Sequence, residues 1–479
     1  MKIKLFLCIL SLLAGILPAT AAESGEDMHP FLLVKESEYE HLRELAQQSP
    51  WKELKETALQ DAAIMEFDPN RSIAYNSRCE KLSDTISATA LAFILDPDNQ
   101  EAHKAKILDL IDYWNPEREG NLYDELYKTS GDYWTQTVPP GSAFVNSLVA
   151  LDIVYPALSA GELKKAEGTL EIIAENYWAV NENHMIAVLG VRGMWALYKR
   201  DWNRLDAAWP EFLKHYDGYI TEDGVGTVST DYANGRFSNS YRDSKTMLPI
   251  AMEYTGRDNT FYDNLKFQYF AEWLLGYCFT PAMQYWANGD TDMAIAPANS
   301  FKNNMLAYRA ANYSEQAAEQ AAWLMKDQPA RGRLMNYLCL KEPWPEPKAP
   351  QSRIFPDGGA WFYENFDSKN SLAGMLWNAK SFDGHGHKEI NAANIAGYGE
   401  TLTANSGYNG WGAAYDGYTW EYINNRAISA NTVLVNYEPG DIKNPSTVND
   451  HVYKYGAGIE QGFTAPLFGY ARGLYLIHI

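Results

Sequence analysis

The sequence predicts an α+β chain in two parts: an N-terminal array of paired helices, read as an α/α toroid or a solenoid, followed by an antiparallel β-sandwich. Three observations predict it. The chain has 479 residues, more than one compact core accommodates. Apolar residues recur at helical spacing from about residue 36 to 340. After the proline-rich run Glu342-Pro343-Trp344-Pro345-Glu346-Pro347 the texture changes to short apolar stretches separated by Gly and Asn. Apolar residues at 46% and charged residues at 21% set aside disordered and collagen-like readings.

Residues 1–22 read as a signal peptide. Lys2 and Lys4 precede an apolar run from Leu5 to Ile16, and Ala19-Thr20-Ala21-Ala22 supplies small residues for cleavage. Cys8 lies inside the apolar run and lacks the small residues before it that a lipoprotein signal needs. No second apolar stretch of spanning length is read, so an exported, periplasmic or secreted protein without a membrane span is expected.

Helices are expected at 39–46, opened by a Ser37/Glu40 capping box, and at 51–65, 79–95 and 101–114. Others follow at 142–158, 162–178, 183–199, 206–216, 247–254, 261–279, 303–312 and 314–325. Their short connections imply antiparallel neighbours. Residues 342–350 form a linker between the helical part, 23–341, and the strand part, 351–479. Strands are expected at 358–366, 371–377, 391–398, 400–404, 431–436 and 469–478. The chain stops at Ile479 in the middle of what reads as a strand, so the expected sandwich is short of strands and reads as truncated.

Cys79, Cys278 and Cys339 are too widely and irregularly spaced for a metal motif or a dense disulfide framework, which leaves one disulfide or, the favoured reading, three buried thiols. A net charge of −21 argues against nucleic acid as a partner. It also requires that any cleft for an acidic ligand be locally basic.

Two of the nine histidines fall in Gly384-His385-Gly386-His387. On a strand their imidazoles would share one face, whereas on a loop they would simply be exposed. Asn183-His184 opens a helix, either as a plain N-cap with its first-turn neighbour or as an amide and imidazole facing a cleft. Asp223-Gly224 begins a polar loop with Tyr232, Arg236, Tyr241 and Arg242. Arginine beside tyrosine suits a carboxylated sugar, because it binds the carboxylate and lowers the phenol's pKa. With 32 tyrosines in the chain, most are core or rim residues.

Four stretches together resemble the heparinase II/III-like family in order and spacing. They are Phe355 to Phe362 (FPDGGAWF), Gly384 to His387, Ala396-Gly397-Tyr398-Gly399, and Arg426 with Ala430-Asn431-Thr432-Val433. Asn183-His184 and the tyrosine loop look like the helical half of the same lyases. The resemblance implies a toroid packed on a β-sandwich with an acidic polysaccharide or oligosaccharide between them, cleaved by β-elimination to leave an unsaturated uronyl end. It assigns catalysis to Asn183, His184, His385 and a tyrosine. Tyr241 is favoured because Ser240-Tyr241-Arg242 precedes a Leu-Pro-Ile helix, with Tyr232 second. Gln136, Tyr232, Arg242 and Glu389 are assigned to substrate binding.

The chain departs from the family where zinc-bearing members hold their metal. The motif His-x-His-x-Asp ends here in Glu389, an Asp position is Asn405, and a His position is Ala430. Only His387 of those ligands remains, so no zinc of the family type and no cofactor are expected. Two rival readings remain. One is a glycoside hydrolase on an α/α toroid, which would use a carboxylate pair. The other is a glycan-binding protein that has lost catalysis.

Overall fold

The computed structural model describes residues 29–126, 133–177, 182–233, 243–291, 305–326, 331–381, 385–407, 426–434, 455–466 and 468–473, with backbone only at 133–137, 182–183 and 428. The signal-peptide residues lie outside these.

Fifteen helices are described with their bounds, in chain order, and residues 230–233 form a further helical turn. They are α1 Tyr39–Leu45, α2 Trp51–Ile64, α3 Tyr75–Leu95, α4 Gln100–Asp112, α5 Tyr123–Leu126, α6 Tyr133–Val154, α7 Ala160–Asn176 and α8 Glu182–Lys199. Then come α9 Trp202–Asp217, α10 Asp243–Tyr254, α11 Thr260–Asp263, α12 Leu265–Gly276, α13 Met305–Ala310, α14 Glu315–Met325 and α15 Leu334–Leu338.

Local chemistry explains several boundaries. Glu38, not Glu40, closes the first turn by accepting the Lys35 N–H at 2.8 Å, so Ser37 falls inside that turn rather than capping it. Ser159 and Glu162 cap α7 reciprocally. The expected 261–279 helix is two helices, because the Asn264 side chain accepts the Lys266 N–H at 3.0 Å and starts α12 afresh. Helix α6 begins nine residues before the expected 142 and runs through Pro139 and Pro140. Its burial on every side outweighs the two backbone bonds those prolines remove.

The helices sort into two kinds. In α9 the buried positions Leu205, Trp209, Phe212 and Tyr216 make one stripe. By contrast α6 from Val138 to Val154, α10 from Ser244 to Met252 and most of α3 are buried all round. The buried helices run parallel. Gly190 and Gly193 of α8 face Ser244 and Leu248 of α10, both pairs advancing in one direction. Phe144 of α6 meets Trp195 of α8, while Gly141 lies level with the same Ser244. The amphipathic α7 and α9 return the chain on the outside. One sequence expectation is corrected here: Val138–Ala157 is long and apolar enough to cross a membrane, yet it is almost wholly buried as the core helix.

Beyond α15, five strands form one antiparallel meander: β1 Arg353–Phe355, β2 Gly359–Tyr363, β3 Ala373–Trp377, β4 Ala392–Gly397 and β5 Glu400–Thr403. Tyr398-Gly399 turns β4 into β5 with φ of 57° and 84°, the left-handed pair a two-residue hairpin requires. A hairpin of β6 Ile459–Thr464 and β7 Gly469–Gly473 packs on β1 and β2. The strand expected at 431–436 is not formed over the described residues 431–434. There Asn431 bonds Ala393 N through its carbonyl and takes Asn405 Oδ1 on its own N–H.

Helices and sheet share one core. Trp361 meets Trp273 and Tyr277, Phe355 meets Tyr277, and Phe366 meets Trp323. Each such burial contributes about 1.5–3 kcal/mol. Polar ties fix the register: Arg353 with Glu272, and Asp357 N–H to Asp223 Oδ2 at 2.5 Å. The three cysteines are buried free thiols, as read from their spacing.

Candidate active site

Parallel inner helices gather their N-terminal ends. Gly141, Gly190 and Ser244 lie level, and each is preceded by a residue singled out from sequence. Gln136 sits in the first turn of α6, Asn183 and His184 in that of α8. Helix α8 opens at Glu182, so Asn183 is inside the helix rather than at its cap. Tyr241 and Arg242 immediately precede α10 in the chain. Helix α9 ends at this same end, since Tyr216 Oη donates to the Lys245 carbonyl. The segment that follows carries Asp223 in a turn and Tyr232 in a helical turn over residues 230–233, not in the loop expected from sequence.

His184 is buried at 9% exposure. The side chains of Gln136 and Asn183, and Tyr241, Arg242 and Arg236 entire, lie outside the described residues. Asp223 proves to be a tie rather than a loop opener. Its carboxylate takes Thr221 Oγ1 on one oxygen and Asp357 N–H on the other, with burial pushing it up.

The strand half meets this end through residues 385–389, which form an irregular turn between β3 and β4, not a strand. The two imidazoles nevertheless converge, on a residue that sequence reasoning missed. Asp290 takes His385 Nδ1 on Oδ2 at 2.7 Å and His387 Nε2 on Oδ1 at 2.8 Å. Burial pushes the Asp290 carboxyl up, but the two histidine hydrogen bonds outweigh it and hold it below the ordinary carboxylate value. An ionised carboxylate only accepts, so the bonded ring nitrogens are the donors. His385 therefore turns Nε2 away from Asp290.

Tyr232 stacks on the His385 ring, centroids 3.8 Å apart at 22°. His385 keeps 20% of its side chain exposed, against 3% for His387, so His385 is the ring a ligand can reach. Glu389 is fully enclosed and pushed up by burial. Its carboxylate takes Gly289 N–H and Asn405 Nδ2, so as described it ties the seam rather than meeting solvent.

The turn bearing Asp290 is built to reach this far. Gly289 has φ of 51°, and a Cβ there would strike the carbonyls of Val228 and His385. Asn288 Oδ1 accepts Thr230 N–H, and Ala287 O accepts Asn394 Nδ2 at 3.0 Å. The available signal was Asn288-Gly289-Asp290, a turn motif in a connection too long for a plain helix–helix joint.

The zinc positions do not make a donor set. His387 Nε2 is committed to Asp290, Asn405 donates to Glu389, and Ala430 has no donor atom. Among the described residues no group of three or more His, Cys, Asp or Glu is arranged to hold a metal.

No family model matches the chain. No curated protein matches it either. Among solved structures it is similar to a heparinase III, with TM-score 0.44 and 14% identity over 80% of this chain and 61% of that one. It is also similar to the heparan sulfate lyase HepC from Pedobacter heparinus, at 0.44 and 15% over 84% and 68%. A third is an alginate lyase from Bacteroides ovatus, at 0.47 and 13% over 66% of this chain and 100% of that one. The chain thus spans about three-fifths of the heparinase III. Likeness at this level carries no argument about activity, which rests on the residues of the site.

A second acidic cluster lies deeper in the helices. Asp243 and Asp84 line a cavity with Arg331 and Arg333, and Arg333 bonds Asp84. Its volume of about 20 Å³ holds about one water, too little for the sugar a hydrolase pair would grip.

Proposed function

We propose that the chain is an exported, periplasmic lyase that cleaves a uronic-acid-containing polysaccharide or oligosaccharide by β-elimination. The observation that carries the reading is the stack of His385 on Tyr232 across the seam between sheet and helices. It joins a histidine and a tyrosine loop that the resemblance assigns to one active site. In the same reading the helices complete an α/α toroid, the strands belong to a β-sandwich, and the substrate lies along the seam.

The chemistry sets three tasks. The C5 proton of a uronate is poorly acidic because its removal puts a second negative charge beside the carboxylate. Asn183 and His385 Nε2 offset that charge with hydrogen bonds that strengthen as it develops. His184 or Tyr241 takes the proton, and Tyr241 protonates the departing glycosidic oxygen. Gln136, Tyr232 and Arg242 line the subsites, Arg242 pairing with a carboxylate. No metal enters the scheme, because of the positions that hold zinc in the family only His387 keeps its ligand type here.

The test is the product's new non-reducing end. A lyase leaves a C4–C5 double bond and consumes no water. A saturated end would overturn the reading in favour of hydrolysis.

A further inference from the structure

We infer that Asp290 is a positioning residue for His385, and that the turn 287–290 does by hydrogen bonding what a metal would otherwise do at this seam. The role given to His385 rests on the lyase reading; the clamp itself does not.

The carboxylate straddles two rings that approach it by different nitrogens, Nδ1 of His385 and Nε2 of His387. It is 6% exposed, so water does not compete for either bond. One group fixes both rings, because Asp290 takes the Nδ1–H of His385 and the Nε2–H of His387. Tyr232 on the ring face removes the remaining freedom of His385, which is rotation of its plane.

The backbone repeats the connection. Asp290 N–H donates to the His385 carbonyl at 3.0 Å, and Gly289 N–H donates to Glu389. On the far side Asn405 links Glu389 to Asn431 N–H. At the positions where the family's metal would join strands, this chain has a continuous hydrogen-bonded path: His387 to Asp290 on one side, Glu389 to Asn405 to Asn431 on the other. Its carboxylate comes from the helical half. The clamp therefore sets the relation of His385 to the helix ends as well as the nitrogen it turns to Asp290.

The experiment uses full-length protein labelled with ¹⁵N at histidine, and long-range proton–nitrogen correlation spectra assigned with His385→Gln and His387→Gln. The wild-type spectrum is expected to show a bonded Nδ1–H on His385 and a bonded Nε2–H on His387. A His385 whose Nδ1 carries no proton overturns the clamp without any variant. In Asp290→Asn the amide offers one acceptor and one donor, so at least one of the two rings must lose its N–H bond to residue 290; unchanged spectra in both overturn the inference. Turnover gives the second readout. On any uronate substrate that wild type cleaves, Asp290→Asn is expected to lower kcat roughly 10–100-fold with KM nearly unchanged, the scale typical for groups that orient a functional histidine. A loss confined to KM would contradict a positioning role. Wild-type protein inactive on every uronate substrate would sink the lyase reading while leaving the spectra to decide the clamp.

Discussion

Tyr232 lies face to face with His385, a geometry that makes its ring a wall and leaves its hydroxyl the lesser part of its contribution. Tyr241 carries the proton in the proposed chemistry. The two residues should therefore separate by variant. Tyr241→Phe is expected to lower turnover on the order of 10²-fold or more. Tyr232→Phe keeps the stack and should stay within a few-fold, while Tyr232→Ala should cost far more. If Tyr232→Phe alone abolishes turnover, the roles are exchanged. Asp243 permits a test that does not depend on activity. Burial pushes its carboxyl up to about 7, against the Asn146 hydrogen bond at 2.7 Å and with repulsion from Asp84 adding to the rise. An acid raised in the folded state holds its proton there after the unfolded chain has lost its own. Stability contributed by that proton is present at low pH and is lost as pH rises from about 4 to about 7. Asp243→Asn should flatten the slope and melt a few degrees above wild type at pH 8. A variant that melts lower at every pH would show that the carboxylate itself is needed.

Among elements, most helices were legible because their apolar stripes recur with a 3.6-residue period. The misses have local causes. The capping role at α1 went to Glu38 because the chain enters through a tight turn at 36–38, which composition does not reveal. The extent of α6 was hidden by Pro139-Pro140, whose cost as helix breakers is met by packing that sequence does not show. Strand β1 is only three residues long, Arg353–Phe355, too short for a period. The site divides the same way. His385 and Asn183-His184 were visible as motifs, whereas Asp290 was not, since its meaning depends on a loop 95 residues away in sequence. Helix α8 offers the sharpest element-scale test. A Cβ on Gly190 would lie 1.6 Å from the Ser244 carbonyl, so Gly190→Ala must push α8 and α10 apart. A loss of about 1–3 kcal/mol, the usual cost of overpacking, is expected in chemical unfolding. Gly161→Ala, where a Cβ meets nothing, is the control. Equal effects from the two would contradict the parallel packing of the inner helices.

At the scale of the whole molecule, the parallel inner helices bring the starts of α6, α8 and α10 to one end. The segment after α9 lies at that same end and meets the sheet half through the stack of Tyr232 on His385. A net charge of −21 opposes binding of a polyanion, so a cleft that takes one has to be locally basic. The most direct measurement is near-ultraviolet absorbance of the purified protein mixed with a panel of uronate polysaccharides. The account predicts an enzyme-dependent rise with at least one of them, lost in Tyr241→Phe and in His385→Ala. A flat trace across the panel, with or without new reducing ends, would contradict it.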